Sequence, residues 1–267
     1  MAYRIGVTGC SGRMGQMLVR EIHATEGCEV AAGSEAPGNA AIGRDIGEVA
    51  GIGRLGIAIA GDAAAVFDAA DAVIDFTAPA ASIAHARLAA EKGKALVIGT
   101  TGIDAAGDRA IAEAAKRAVI VRSPNMSVAV NLLFALTEQV AARLGPEFDI
   151  EIVEIHHRHK VDAPSGTALA LGEMAAKGRG VKLDEVAVRG RDGHTGARPA
   201  GAIGFAALRG GAEVGDHTVM FCGPAERIEL THKAASRQIY ASGAVRAALW
   251  ARNRKPGLYG MRDVLGL

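Results

Sequence analysis

The sequence predicts an α/β protein: a doubly wound parallel sheet domain, then an α+β domain whose sheet is mostly antiparallel or mixed. Three observations carry this. The first half alternates short β-branched runs with Ala-rich amphipathic stretches, the pattern of βαβ units. Aliphatic residues dominate a composition that is 49% hydrophobic but only 4% aromatic, which suits buried parallel strands under Ala-lined helices. After Pro124 strands follow one another with fewer helices between them, which favours a second, differently paired sheet.

Taken in order, Arg4 to Thr8 reads as a first strand and Arg13 to Thr25 as a helix. Cys28 to Gly33, Ile57 to Ala60 (weak) and Ala72 to Phe76 read as further strands, and Ala80 to Lys92 as a helix. Ala95 to Gly99 is a strand, Asp104 to Arg117 a helix and Val119 to Arg122 a strand. Right-handed crossovers would place the C-terminal ends of all these strands on one sheet edge. Beyond Pro124, a helix from Val128 to Leu144 leads into a strand, Asp149 to His157. Glu185 to Arg189, Ala202 to Arg209, Thr218 to Cys222 and Arg227 to His232 read as strands. The closing helix, Arg237 to Leu249, is expected to pack back on the first domain.

The 267 residues can form one large or two modest cores. A net charge of +1 gives no global field to steer the chain onto nucleic acid or an anionic membrane. Neither partner is expected, and any anion must be held locally. Cys10, Cys28 and Cys222 are far apart and form no CxxC pair, so they read as reduced thiols of a cytoplasmic protein. MAYRIGVTGCSG shows no signal-peptide pattern, and no apolar run is long enough to cross a bilayer.

Gly9-Cys10-Ser11-Gly12-Arg13-Met14-Gly15 follows the first strand and opens the first helix. A dinucleotide pyrophosphate needs close backbone approach and free N–H groups at a helix N-terminus, which this Rossmann-type GxxGxxG loop would supply. Glu35 ends the second strand, where a carboxylate can accept hydrogen bonds from ribose hydroxyls. Ala36 follows it, with no adjacent Arg for a 2′-phosphate, so NADH is expected over NADPH, which remains possible. Gly99-Thr100-Thr101-Gly102 and Ser123-Pro124-Asn125-Met126 end later strands and are expected near the nicotinamide. Asp75-Phe76-Thr77 lies on the same edge, with no chemistry assigned to it.

The sharpest feature is Glu154-Ile155-His156-His157-Arg158-His159-Lys160-Val161-Asp162-Ala163-Pro164-Ser165-Gly166-Thr167-Ala168. If strand alternation persists, His156, Arg158 and Lys160 share one face, and His157 and His159 the other. A helix from Ser165 to about Ala176 would follow, with Leu169, Ala170 and Met174 on its inner face. Its start offers hydroxyls and unpaired N–H groups to an anion. Three readings compete. Lys160 and the helix N-terminus grip substrate carboxylates while His156 acts as general acid; or the histidines bind a metal, without a convincing fourth ligand; or the segment is a polar connector. Convergent titratable groups beside an anion nest favour the first, and no metal is expected.

With both regions in view, the sequence resembles the 4-hydroxy-tetrahydrodipicolinate (dihydrodipicolinate) reductase family of bacterial and plant lysine biosynthesis. The signature E-x-H-H-R-H-K-x-D-A-P-S-G-T-A is intact from Glu154 to Ala168. VTGCSGRMG, VIDFTAP, VIGTTG, SPNMSVAVN, GRDGHTGARPAGAIGFAALRGG, HTVMF, ELTHKAASR and GLYGMRDVL match family blocks in order. The resemblance implies NAD(P)H-dependent reduction of a small dicarboxylate ring. His156 would be the proton donor and Lys160 the second acid/base or charge-stabilising group, with His157, Ser165, Gly166, Thr167 and Arg237 binding carboxylates. Gly9, Cys10, Ser11, Gly12, Arg13, Met14, Glu35, Gly99, Thr100, Thr101, Ser123, Pro124, Asn125 and Met126 would hold the cofactor. It also implies a dinucleotide domain of 1–126 and 237–267, a substrate domain of 127–236, closure of the two before transfer, and a homotetramer. Ala36 and Ala78 stand where some relatives carry Arg, which weakens the case for NADPH.

Overall fold

A computed structural model describes residues 1–267 and resolves them into two units, 1–128 with 238–267, and 129–237. In the first unit the chain runs β1 (Tyr3–Thr8), α1 (Arg13–Ala24), β2 (Cys28–Ser34), α2 (Ile46–Ala50), α3 (Ala63–Ala69), β3 (Ala72–Asp75), α4 (Pro79–Lys92), β4 (Ala95–Ile98), α5 (Ala105–Ala114) and β5 (Val119–Arg122). Helix α6 (Val128–Arg143) opens the second unit, which continues with β6 (Asp149–His156), α7 (Gly166–Arg179), α8 (Leu183–Val186), β7 (Ala187–Val188), β8 (Ile203–Arg209), β9 (Asp216–Cys222) and β10 (Arg227–Lys233). The chain then re-enters the first unit as α9 (Gln238–Ala251), β11 (Gly257–Tyr259) and α10 (Met261–Leu265).

The first sheet has the order β11-β5-β4-β3-β1-β2, and every pairing is parallel. β3 and β4 are buried along their whole length, as strands covered on both faces must be. Alternate side chains feed two cores. Ala72, Ile74 and Val97 join α1 and α9 on one face, while Val73, Leu96 and Ile98 meet α3, α4 and α5 on the other. β11 supplies a sixth strand that the short apolar run at Leu258 did not announce.

Ile57 to Ala60 is not a strand; it makes only isolated bridges, Ser34 to Ala60 and Asp45 to Ala58. The Asp45 carboxylate accepts N–H bonds from Leu55, Gly56 and Ile57 at 3.0, 2.6 and 3.1 Å. Of the expected strand's donors the side chain takes only that of Ile57, while Ile59 N and Ala60 N donate to Arg44 O and Gly33 O. The bonds to Asp45, led by that from Leu55, pull its carboxyl down to about 2.

The second sheet is mixed, with the order β10-β9-β6-β8-β7. β10–β9 and β9–β6 are antiparallel, whereas β6–β8 and β8–β7 are parallel. It is therefore half parallel rather than mostly antiparallel, because α7 provides the crossover between β6 and β8 that a parallel pair requires. The expected strand Glu185 to Arg189 is instead the short helix α8 and a two-residue strand. Asp184 and Glu185 in its first turn favour a helix start. Ile150, Ile152, Phe205, Val219 and Phe221 pack against Leu133, Phe134, Leu171 and Ala175 to form this unit's core. The inner face of α7 is Ala168, Leu171, Gly172, Ala175 and Ala176; Leu169, Ala170 and Met174, expected there, lie at its half-buried margin. No helix is long and apolar enough to cross a membrane, and all three cysteines are free.

Candidate active site

In the first unit, β1 delivers the chain to Gly9, whose φ of +67° makes the turn. The N–H groups of Gly9 and Cys10 donate to Ser34 O at 2.8 and 3.2 Å, which pins the loop to the end of β2. A Cβ on Gly15 would lie 2.1 Å from Gly9 O, so only glycine lets α1 begin this close to the loop. The N-cap of α1, Gly12, has no side-chain cap bond. The backbone donors of that terminus are thus left to an anion.

Glu35 directly follows β2. Its Oε1 accepts from Ser11 N and Ser11 Oγ at 2.8 and 2.7 Å, and its Oε2 from Asn39 Nδ2 at 3.2 Å. Gly9, Ser11, Gly12 and Glu35 line one open cavity of about 610 Å³. Cys10 is fully buried, and desolvation followed by the nearby Glu35 charge pushes its thiol up to about 12. Arg13 is exposed, and Met14 packs partly into the core. Gly99 to Thr101 and Ser123 to Met126 follow β4 and β5 on the same sheet edge, outside the wall of this cavity. Thr100 Oγ1 accepts from Thr77 N at 3.0 Å, and Ser123 Oγ donates to Asn125 O at 2.7 Å.

Sequence reasoning gave Asp75 no role, yet it anchors the polar floor of this edge. Fully buried, its Oδ1 accepts from Thr8 Oγ1, Thr77 N and Thr77 Oγ1 at 3.2, 3.0 and 2.6 Å. Its Oδ2 faces His85 Nδ1 at 3.2 Å. Burial opposes ionisation, but the facing His85 ring, and then the Thr77 bonds, prevail and hold the carboxyl below its ordinary value. Thr77 and His85 themselves line the cavity. The available signal was an acid closing an otherwise apolar strand, which burial would penalise without partners.

In the second unit, alternation along β6 turns Ile150, Ile152, Glu154 and His156 inward. Glu154 Oε2 meets His156 Nδ1 at 2.6 Å. Arg209, paired in register with His156 across β6 and β8, grips the carboxylate bidentately, with both bonds at 2.8 Å. Burial works against the Glu154 charge, but bonds from Arg209 and then His156 outweigh it and keep the carboxyl below its usual range. The strand ends at His156, so the expected two-faced alternation of 156–160 does not occur. There the chain turns, as His157 N donates to Glu213 O at 2.8 Å and Lys160 N to His157 O at 3.1 Å.

Lys160 Nζ donates to Asp162 Oδ1 at 2.9 Å, which holds that carboxyl below its ordinary value. Desolvation, and then the Arg237 charge, hold the His157 imidazole below its usual value. Ser165 caps α7, its Oγ accepting from Ala168 N at 3.1 Å, and pairs with His217 Nε2 at 2.9 Å. Beside it Gly166 is exposed, and the space a Cβ would fill there is open. Thr167 follows in the first turn of α7.

His217, missed from the sequence, stands edge-on to His156 with ring centroids 5.2 Å apart. Burial and the neighbouring His156 push it down to about 4. Gly215, also missed, has a φ of +151°, and a Cβ there would lie 2.6 Å from His156 Nε2. The bare α-carbon leaves that nitrogen uncovered. The segment 156–167 thus assembles an imidazole on a buried carboxylate, an ammonium and an open helix N-terminus. No group of three or more His, Cys, Asp or Glu is arranged to hold a metal ion.

A parallel sheet with an uncapped glycine loop, joined in one chain to a mixed sheet bearing an imidazole–carboxylate centre, is the build of a pyridine-nucleotide-dependent oxidoreductase. Family models described as dihydrodipicolinate reductase, N-terminus and C-terminus, match residues 3–126 and 129–265. The chain belongs to the dihydrodipicolinate reductase family. It is 56% identical over 266 residues to the 4-hydroxy-tetrahydrodipicolinate reductase of Magnetococcus marinus, covering 100% of this chain and 99% of that one. To that of Rhizobium rhizogenes it is 56% identical over 267 residues, covering 100% and 97%. Its fold is similar to a dipicolinate-bound dihydrodipicolinate reductase from Paenisporosarcina sp. TG-14, with TM-score 0.77 and 24% identity over 98% of this chain and 99% of that one. The chain is accordingly an oxidoreductase that uses NADH or NADPH.

Proposed function

We propose that this chain reduces dihydrodipicolinate, formed when 4-hydroxy-tetrahydrodipicolinate loses water, to tetrahydrodipicolinate in the diaminopimelate route to lysine. The observation that carries the reading is His156, an imidazole held on a buried carboxylate at the end of β6, in the segment that leads to α7 at Gly166. Gly9, Ser11, Gly12 and Glu35 fit a pyridine nucleotide, because uncapped backbone donors suit its pyrophosphate and a carboxylate suits its ribose. Cys10, Arg13 and Met14 extend that loop, and Gly99 to Thr101 with Ser123 to Met126 are assigned to the nicotinamide end. When bound, the nicotinamide supplies hydride to the electron-poor carbon conjugated with the substrate imine.

The rest falls to this chain's side chains. The N–H groups of Gly166 and Thr167, with Ser165, His157 and Arg237, bind the two substrate carboxylates. Lys160 offsets negative charge as it develops on the ring nitrogen system. His156 delivers the proton from Nε2, since its Nδ1 is committed to Glu154.

NADH is the preferred donor in this reading, because Glu35 would repel a 2′-phosphate and Ala36 offers no compensating cation. The first unit is the nucleotide domain and the second the substrate domain of a cytoplasmic homotetramer. The test mixes enzyme, NADH and freshly generated substrate and follows nicotinamide absorbance. Substrate-dependent oxidation is expected, with a lower KM for NADH than for NADPH. Absence of turnover with cofactor bound would overturn the reaction, and a much lower KM for NADPH would overturn the preference.

A further inference from the structure

The proposed chemistry uses the most buried acid of the second unit only as a partner for His156 Nδ1, and does not explain its clamp by Arg209. Glu154 is 1% exposed, yet it is not simply one half of an ion pair. Its Oε2 is shared by His156 Nδ1 at 2.6 Å and Arg209 Nη1 at 2.8 Å, and its Oε1 by Ser165 N at 3.1 Å and Arg209 Nη2 at 2.8 Å. Arg209 Nη2 also donates to Asp162 O at 2.6 Å. One carboxylate and one guanidinium therefore fasten the imidazole, the turn carrying Lys160 and the cap of α7.

From this arrangement we infer that Glu154, clamped by Arg209, is the positioning residue for His156: it fixes the imidazole so that the transferable proton is held at Nε2. The inference rests on the reading of His156 as proton donor. An ionised carboxylate only accepts hydrogen bonds, so Nδ1 keeps its own proton and Nε2 takes the one that moves. Arg209 lies in register opposite His156 on β8, and His217 stands beside it on β9.

The test is Glu154→Gln, which keeps the side chain's size and removes its charge. Glutamine can offer Nδ1 either a carbonyl or an amide, so it no longer obliges that nitrogen to carry the proton. The expected result is a kcat about ten- to a hundredfold lower, part of the 10²–10⁴ that a positioned acid supplies. NADH affinity should hold, since the glycine loop belongs to the other unit. Glu154→Asp should recover part of the lost kcat, and Glu154→Gln should cost no further kcat in a His156→Gln background. A folded Glu154→Gln enzyme with the parent's kcat overturns the inference, as does an equal loss with and without His156. Should Glu154→Gln not fold, Arg209→Lys carries the test, because it keeps the charge and loses the fork. Its kcat should fall at least about fivefold with His156 present and not in the His156→Gln background; an unchanged kcat overturns the inference. If His156→Gln itself leaves kcat intact, the reading of the site fails. If His156→Gln is slow and Glu154→Gln is not, only the positioning role fails.

Discussion

Replacing Gly215 with alanine adds a single methyl group against the face of the proposed proton donor. The new Cβ would lie 2.6 Å from His156 Nε2 and 3.1 Å from Cδ2, inside the roughly 3.5 Å at which such atoms rest. The ring has little room to retreat, because Nδ1 is bound to Glu154 at 2.6 Å and His217 stands edge-on at 5.2 Å. Alanine also resists the φ of +151° at this position, at a cost of about 1–3 kcal/mol. Losing or stretching the charged His156–Glu154 bond would add about 1.5–3 kcal/mol. A displacement near 1 Å of a catalytic group costs about a hundredfold in rate, or about 2.7 kcal/mol of barrier. Steady-state oxidation of NADH with saturating substrate should therefore show kcat down by about two orders of magnitude. Tm should fall by several degrees, and NADH should still bind, since Gly9, Ser11 and Glu35 belong to the other unit. A Gly215→Ala enzyme with the parent's kcat and Tm would refute the claim that this α-carbon must be bare.

His156→Gln should lower kcat by about two orders of magnitude or more, with cofactor affinity retained; single-turnover kinetics would show the loss in the chemical step. Lys160→Ala should raise KM and slow the reaction together, because it removes a cation from the proposed carboxylate site, and unchanged constants would exclude it. His217 gives a pH signature to folding. Its pKa is about 4 in the folded chain against 6.5 ordinarily, so the unfolded chain binds the proton first as pH falls. Stability should be full above about pH 6.5 and decline towards pH 4, by an amount on the order of 3 kcal/mol. Denaturant unfolding of His217→Gln should lack that slope; an identical slope would assign it to other groups.

What could be read from the sequence was what neighbours in the chain decide. The glycine loop, the acid ending β2 and the Ser165 cap are local patterns, and each lies where strand or helix periodicity placed it. The Asp45 carboxylate holds the backbone donors of 55–57, and the segment 57–60 pairs only at isolated bridges. Periodicity cannot register such bonds to a side chain. Arg209, Gly215 and His217 escaped notice because they meet His156 only through the pairing of β8 and β9 with β6. Each resembled an ordinary strand or turn residue until register placed it. The faces expected for His156 to Lys160 failed for a related reason, since the chain left the sheet at His156 and turned on bonds to Glu213 and His157.

The first unit closes its sheet with α9 and β11, drawn from residues 238–267 at the far end of the chain. A ribosome that has just finished residue 128 must still add the remaining residues before that seat is filled, a wait of roughly 7–28 s at about 5–20 residues per second. Until then Ile74, Val97 and Val121 lack their α9 cover and β5 remains an open edge. The middle of the chain emerges whole and can mature first, so the order of assembly during synthesis is inner segment before outer. A nascent polypeptide stalled before residue 238 would carry a finished second unit tethered to a sticky, unfinished first one.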